Sequence, residues 1–220
     1  MFSAPWNQPV SLGLDRTGNY GGYLYTGTSG LDHIDKILPD GSIQHFSDYP
    51  YNISGNPKNI AFDPGNKYGG KLYISTYSSS SSTWAGIFSL DGEGNPTRFT
   101  DDIVSGLWLE FDTTGKYFGG DLFVNGSEEL GGTRKIYRVA PDGSATAFAD
   151  DLPFNTGEFS FGPDGAMYIF QDFGSSWFGV YRVTPEPSSI LLFGMGTLAL
   201  RRRRKKNKSV AANYTNRHEI

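Results

Sequence analysis

An all-β chain assembled from about four copies of one four-stranded unit is the fold that this sequence predicts, and three observations predict it. One stretch recurs along the 220 residues, with its clearest copy at Phe111-Asp112-Thr113-Thr114-Gly115-Lys116-Tyr117-Phe118-Gly119-Gly120-Asp121-Leu122-Phe123-Val124-Asn125. The copies keep step: Asp15, Asp63 and Asp112 are 48 and 49 residues apart, and Asp164 follows at about the same interval. A fixed period of this size marks a repeat architecture. The composition agrees, since 15% aromatic residues and 29 glycines suit strands and tight turns. Four strands in units of about 49 residues describe a β-propeller-like array, expected over residues 1–184.

The first unit begins at Ser11 and contains Leu14-Asp15-Arg16-Thr17-Gly18-Asn19-Tyr20-Gly21-Gly22-Tyr23-Leu24-Tyr25. Residues 1–10 supply at most a lone edge strand. The second unit carries Phe62-Asp63-Pro64-Gly65-Asn66-Lys67-Tyr68-Gly69-Gly70-Lys71-Leu72-Tyr73-Ile74, with strands expected at 59–63, 71–76, 86–90 and 96–100. Ile60 with Phe62, and Leu72 with Ile74, alternate at the period of a strand. Asp63-Pro64-Gly65-Asn66 and Asp91-Gly92 break the runs. The Ser78–Ser82 run reads as a flexible loop.

The second half of each unit recurs as well. Residues 36–46, with Pro39-Asp40-Gly41, match residues 137–148, with Pro141-Asp142-Gly143, and Phe88-Ser89-Leu90-Asp91-Gly92 is the middle version. Asp-Gly between apolar runs predicts a hairpin. The fourth unit holds the shortened copy Phe161-Gly162-Pro163-Asp164-Gly165-Ala166-Met167-Tyr168-Ile169, reaches 179–184 and stops, so its last strand is missing unless residues 2–10 supply it and close a ring. A four-bladed ring, an incomplete propeller, a truncated product and a β-sandwich of the same meanders all stay open. No useful helical pattern precedes residue 188.

The strand–hairpin grammar of residues 11–184 resembles the blades of NHL-type and gluconolactonase-like propellers. That resemblance implies a propeller and, in the gluconolactonase-like branch, a Ca²⁺-dependent lactonase or hydrolase with acidic and amide ligands around a central channel. No such set can be matched here residue by residue, so no catalytic residue is assigned.

From Thr184 the grammar changes. Pro185-Glu186-Pro187 is followed by Ser188–Leu200, almost wholly apolar, then by Arg201, Arg202, Arg203, Arg204, Lys205 and Lys206. The prolines break the sheet, the apolar run predicts a short hydrophobic helix, and the basic block reads as a cytoplasmic stop. As a helix Ser188–Leu200 extends about 20 Å against a hydrocarbon core of about 30 Å, so spanning needs snorkelling or thinning. Residues 207–220 are a polar tail, expected to be disordered. Residues 185–206 resemble the PEP-CTERM sorting signal of Gram-negative bacteria. The resemblance implies export, with transit through the inner membrane, and processing by an exosortase-like enzyme. It further implies a place at the cell surface or in the exopolysaccharide matrix of a biofilm.

Charge and chemistry narrow the function. Residues 185–220 hold 8 of the 19 basic and 2 of the 23 acidic residues, leaving 11 basic and 21 acidic, a net of −10, in residues 1–184. An acidic body without a basic stripe argues against nucleic acid. Cysteine is absent, which excludes disulfides and thiolate metal sites. Met1–Trp6 lacks the basic and apolar parts of a secretory signal. His33, His45 and His218 show no helical ligand spacing and read as surface residues. No nucleophile elbow or phosphate loop occurs. Asp15, Asp63 and Asp112 fit two roles: Ca²⁺ ligands, or caps of the following turn. Capping needs no metal and explains the repetition. Asp91, Glu93, Asn95 and Asp102 resemble a Ca²⁺ loop faintly, with Pro96 where glycine is required. The expectation is a non-enzymatic binding module without a resident cofactor. Its partner would be polysaccharide or matrix protein, held through loops and through Trp84, Trp108 and Trp177, since indole suits a flat sugar face.

Overall fold

The computed structural model describes residues 9–28, 33–48, 56–77, 85–149, 156–172 and 178–184. The first compact unit of the chain runs from Met1 to Val183 and the second from Thr184 to Ile220. Among the described residues the first unit is all β. Its fifteen strands among the described residues form four antiparallel sheets in strict chain order. Sheet 1 comprises β1 (Pro9–Leu14), β2 (Leu24–Thr28), β3 (His33–Ile37) and β4 (Ile43–Asp48). Sheet 2 comprises β5 (Asn56–Phe62), β6 (Leu72–Tyr77), β7 (Gly86–Leu90) and β8 (Pro96–Thr100). Sheet 3 comprises β9 (Ser105–Phe111), β10 (Leu122–Ser127), β11 (Lys135–Val139) and β12 (Ala145–Ala149). Sheet 4 has three strands: β13 (Thr156–Phe161), β14 (Met167–Asp172) and β15 (Phe178–Val183).

The sheets stack face to face, and each interface is one hydrophobic cluster. Tyr20, Tyr25 and Ile34 of sheet 1 meet Ile60, Phe62, Leu72, Ile74, Phe88 and Leu90 of sheet 2. Tyr68, Tyr73 and Ile87 of sheet 2 meet Leu109, Phe111, Leu122, Val124 and Val139 of sheet 3. Phe118, Phe123 and Ile136 of sheet 3 meet Phe159, Met167 and Ile169 of sheet 4. The alternation read in the sequence is therefore real. A sheet sandwiched on both sides must bury both sets of alternating side chains, which is why β6 and β7 are buried almost throughout.

First strands pack on first strands, β1 on β5, β5 on β9 and β9 on β13, as the innermost strands of successive propeller blades do. Among the described residues no comparable packing joins β13 to β1. The outward faces of the two end sheets carry exposed apolar side chains, Leu12 and Leu14 on β1 and Phe170 and Val180 on β14 and β15.

Three expectations change in detail. Pro9 and Val10 are not separate from the first unit but open β1, paired with β2. The middle hairpin turns across Asp91–Gly94, but its left-handed glycine is not Gly92. Gly94, at φ +85°, closes it by donating to the Asp91 carbonyl, the place that Gly41 and Gly143 hold in the neighbouring units. Trp108 is no exposed platform: its ring packs beside the third cluster and its indole N–H donates to the Phe159 carbonyl at 2.8 Å. Trp84, Trp177, the Ser78–Ser82 run, the C-terminal helix, and all of Pro185, Glu186, Pro187 and Arg201–Arg204 lie outside the described residues. Among the described residues no helix is long and apolar enough to cross a membrane.

Candidate functional site

The repeated aspartates cap their own turns. Asp15 Oδ1 accepts from the backbone N–H of Thr17 (2.9 Å) and Gly18 (3.1 Å) and from the Thr17 hydroxyl, while Oδ2 accepts from Tyr20 (2.8 Å) and Gly22 (2.9 Å). Asp63 takes the N–H groups of Gly65, Tyr68 and Gly70, and Asp112 those of Thr114, Gly115, Phe118 and Gly120. The paired glycines that follow, Gly21-Gly22, Gly69-Gly70 and Gly119-Gly120, all have positive φ, which a Cβ disfavours. Burial pushes the Asp15 carboxyl up, but the donors from Thr17, Gly22 and Tyr20 outweigh it and hold it below the usual carboxylate range. Capping is thus the role that the geometry gives these residues.

The first two corners also fasten one sheet to the next through a tyrosine hydroxyl. The Tyr20 hydroxyl donates to the Leu90 carbonyl (2.6 Å) and accepts from the Leu72 N–H (2.9 Å), both in sheet 2. Tyr68 repeats this in sheet 3 with Val139 and Leu122. Asp121, nearly buried, receives Lys67 from the neighbouring corner and Arg138 from β11.

The faint Ca²⁺ loop does not converge. Asp91 turns onto its own hairpin, accepting from Glu93 N and Asn95 N, whereas Asp102 reaches Ala145 N at 2.8 Å. On the inner strands the described carboxylates are Glu110 and Glu158. Burial raises the Glu110 carboxyl above its ordinary range although the Ser160 hydroxyl donates to it at 3.0 Å.

An open concavity lies at the end of the sheets opposite the aspartate corners. The β10–β11 connection walls it with Glu128, Glu129, Gly132 and Thr133, and β11 contributes Lys135 and Tyr137, around a volume of about 420 Å³. Lys135 and Tyr137 are two residues apart on one strand, so the pleat puts both side chains on one face of β11. Glu128 Oε1 gathers the Tyr137 hydroxyl (3.0 Å) and the Lys135 ammonium (3.4 Å). Burial, then Glu128, push the Tyr137 phenol well up, so it stays a neutral donor. The hollow thus offers the Glu128 and Glu129 carboxylates as acceptors and the Lys135 ammonium as a donor, while the buried Tyr137 hydroxyl is committed to Glu128. Sequence reading did not find this site, because its residues matter only once a loop of no distinctive motif folds over them.

Sequence reading also missed that His33 and His45 come together. The β3–β4 pairing sets His45 opposite Asp35, and His33 Nε2 lies 3.1 Å from Asp35 Oδ2. Asp164, in the shortened corner, is held at about 2 by the Arg182 guanidinium beside it.

Comparison with known proteins agrees with the fold and the tail. Residues 183–205 match the PEP-CTERM protein-sorting motif, so the chain carries an exosortase-type export signal. No curated protein matches the chain. Among solved structures it is similar to a PQQ-bound aldose sugar dehydrogenase from Streptomyces coelicolor, at 18% identity and TM-score 0.58 over 83% of this chain and 62% of that one. It is similar to a gluconolactonase from Xanthomonas campestris, at 18% and 0.53 over 74% and 54%. An auxiliary nutrient binding protein from Bacteroides thetaiotaomicron gives 13% and 0.53 over 80% and 42%. The likeness is one of fold, a β-propeller, and the chain spans about three fifths of the length of the first structures it matches.

Proposed function

We propose that this chain is an exported bacterial propeller protein, sorted by an exosortase-like enzyme, that works at the cell surface or in the extracellular matrix as a binding module and not as a catalyst. The observation that carries the reading is the union of a PEP-CTERM signal at 183–205 with a propeller body. The tail supplies the address: its apolar run would lodge in the inner membrane of a Gram-negative-type cell during transit, with the basic block on the cytoplasmic side. The body supplies a polar hollow around Glu128, Lys135 and Tyr137, suited to matrix polysaccharide or a matrix protein. The acidic body supports such partners over nucleic acid.

Binding of the full-length chain to exopolysaccharide isolated from a PEP-CTERM-encoding bacterium tests the reading. Retention is expected, weakened by Glu128→Gln with Lys135→Met. Equal retention of the wild type and the double variant would count against the hollow. A lactonase activity lost to chelator would replace the binding role with the Ca²⁺-dependent hydrolase suggested by the gluconolactonase-like fold.

A further inference from the structure

The geometry points to a divalent transition-metal site of the zinc class on the outer hairpin of sheet 1, with His33, Asp35 and His45 as ligands and Asp48 behind them. It is independent of the sorting signal and of the β10–β11 hollow.

The first support is distance. His33 Nε2 lies 3.1 Å from Asp35 Oδ2, His45 Nδ1 lies 3.6 Å from Asp35 Oδ1, and one ligand atom from each of the three residues falls within 4.8 Å of the others. Zinc bonds of about 2.0–2.1 Å place neighbouring ligand atoms of a tetrahedron roughly 3.4 Å apart. The two imidazole rings meet edge to face with centroids 5.0 Å apart, a spacing one ion can bridge.

The second support is the outer carboxylate. His45 Nε2 lies 2.9 Å from Asp48 Oδ1. A ligating histidine characteristically donates its other ring N–H to a carboxylate, which fixes the tautomer and the ring. With the proton on Nε2, the Nδ1 lone pair of His45 faces Asp35 Oδ1, another lone-pair bearer, and a cation between them resolves the conflict. Asp35 is only 12% exposed and His33 20%, whereas His45 is half exposed, so three ligands would be anchored and a fourth position left to water.

The third support is that the repeat does not require these residues. A bulge between Ile34 and Asp35 leaves Phe46 extra on β4, so Phe46 packs against Tyr25 while His45 stays opposite Asp35. The same bulge occurs in sheets 2 and 3. There the positions of Asp35 and His45 hold Phe88 with Arg98, and Tyr137 with Ala147. A merely architectural set would recur, and among the described four-stranded sheets this one belongs to sheet 1.

Titration of the purified full-length chain with Zn²⁺ alone, followed by calorimetry, tests the site. One Zn²⁺ per chain is expected, uncompeted by millimolar Mg²⁺ or Ca²⁺, because imidazole selects the borderline metals. His33→Ala and His45→Ala should each weaken binding by at least about 100-fold, and Asp48→Asn by about 10-fold. His218→Ala should leave it unchanged. Imidazole ¹H–¹⁵N spectra of the wild type keep the test alive if a variant misfolds: Zn²⁺ should move His33 Nε2 and His45 Nδ1. No saturable binding, or binding undiminished by both histidine substitutions with unmoved imidazole signals, overturns the proposal.

Discussion

The phenol oxygen of Tyr68 sits 2.6 Å from the carbonyl oxygen of Val139, 71 residues further along, and 3.1 Å from the backbone nitrogen of Leu122. Leu122 and Val139 are cross-strand partners in sheet 3, so one hydroxyl from sheet 2 closes the end of its neighbour's ladder. Tyr68→Phe keeps the ring in the second hydrophobic cluster and strands a buried carbonyl and N–H. A loss of about 1–3 kcal/mol in unfolding free energy is expected by denaturant titration. The third corner has Phe118 at this place, beside Met167. Phe118→Tyr would offer sheet 4 the missing hydroxyl, with an expected gain of about 1 kcal/mol in the same assay.

Asp112→Ala removes the acceptor for the N–H groups of Thr114, Gly115 and Phe118 and is expected to cost about 3 kcal/mol, since charged hydrogen bonds are the stronger ones.

For Asp15 the pH dependence has a definite sign. Its carboxyl is held below the ordinary value, so the fold favours the ionised form. That stabilisation is present above the unfolded value of about 3.9 and is lost as pH falls through the lower folded value. Asp15→Asn should therefore be less stable than the wild type at pH 7, with the gap narrowing below about pH 4, as followed by thermal melts across pH.

Glu110 behaves oppositely. Burial raises its carboxyl, so the favourable neutral form is present below the unfolded value of about 4.3, and its contribution is lost as pH rises through the folded value. Glu110→Gln keeps a partner for Ser160 and should raise the melting temperature at pH 7, with no gain at pH 4.

Gly143 has φ +89°, and a Cβ there would run into the Phe99 carbonyl oxygen of sheet 2. Gly143→Ala is expected to cost about 2–3 kcal/mol through strain and inter-sheet clash together, again by denaturant titration.

The repeat was legible because its punctuation is chemical: an aspartate that caps, two glycines that must turn left-handed, an Asp-Gly hairpin. Phe118 was harder. Counting forward from Asp112 selects Tyr117 as the counterpart of Tyr68, but the chain has one extra residue there, and packing buries Phe118 and leaves Tyr117 exposed. His33 and His45 escaped because their closeness depends on folding back across Pro39-Asp40-Gly41 with a bulge, a relation that helical spacing rules do not cover. Pairing the strands outward from that hairpin would have found it. Trp108 was misread for the opposite reason: nothing local distinguishes an indole facing sugar from one wedged between sheets.

Delivery by the tail is the claim on which the cellular role rests. Its most direct measurement is fractionation with intact-mass analysis of the exported chain in an exosortase-bearing host, wild type against a deletion of residues 185–206. The wild-type chain is expected to pass through the membrane fraction and to be shortened near Pro185-Glu186-Pro187, and the deleted chain to do neither. Identical fractionation of the two proteins, with an unprocessed wild-type mass, would contradict it.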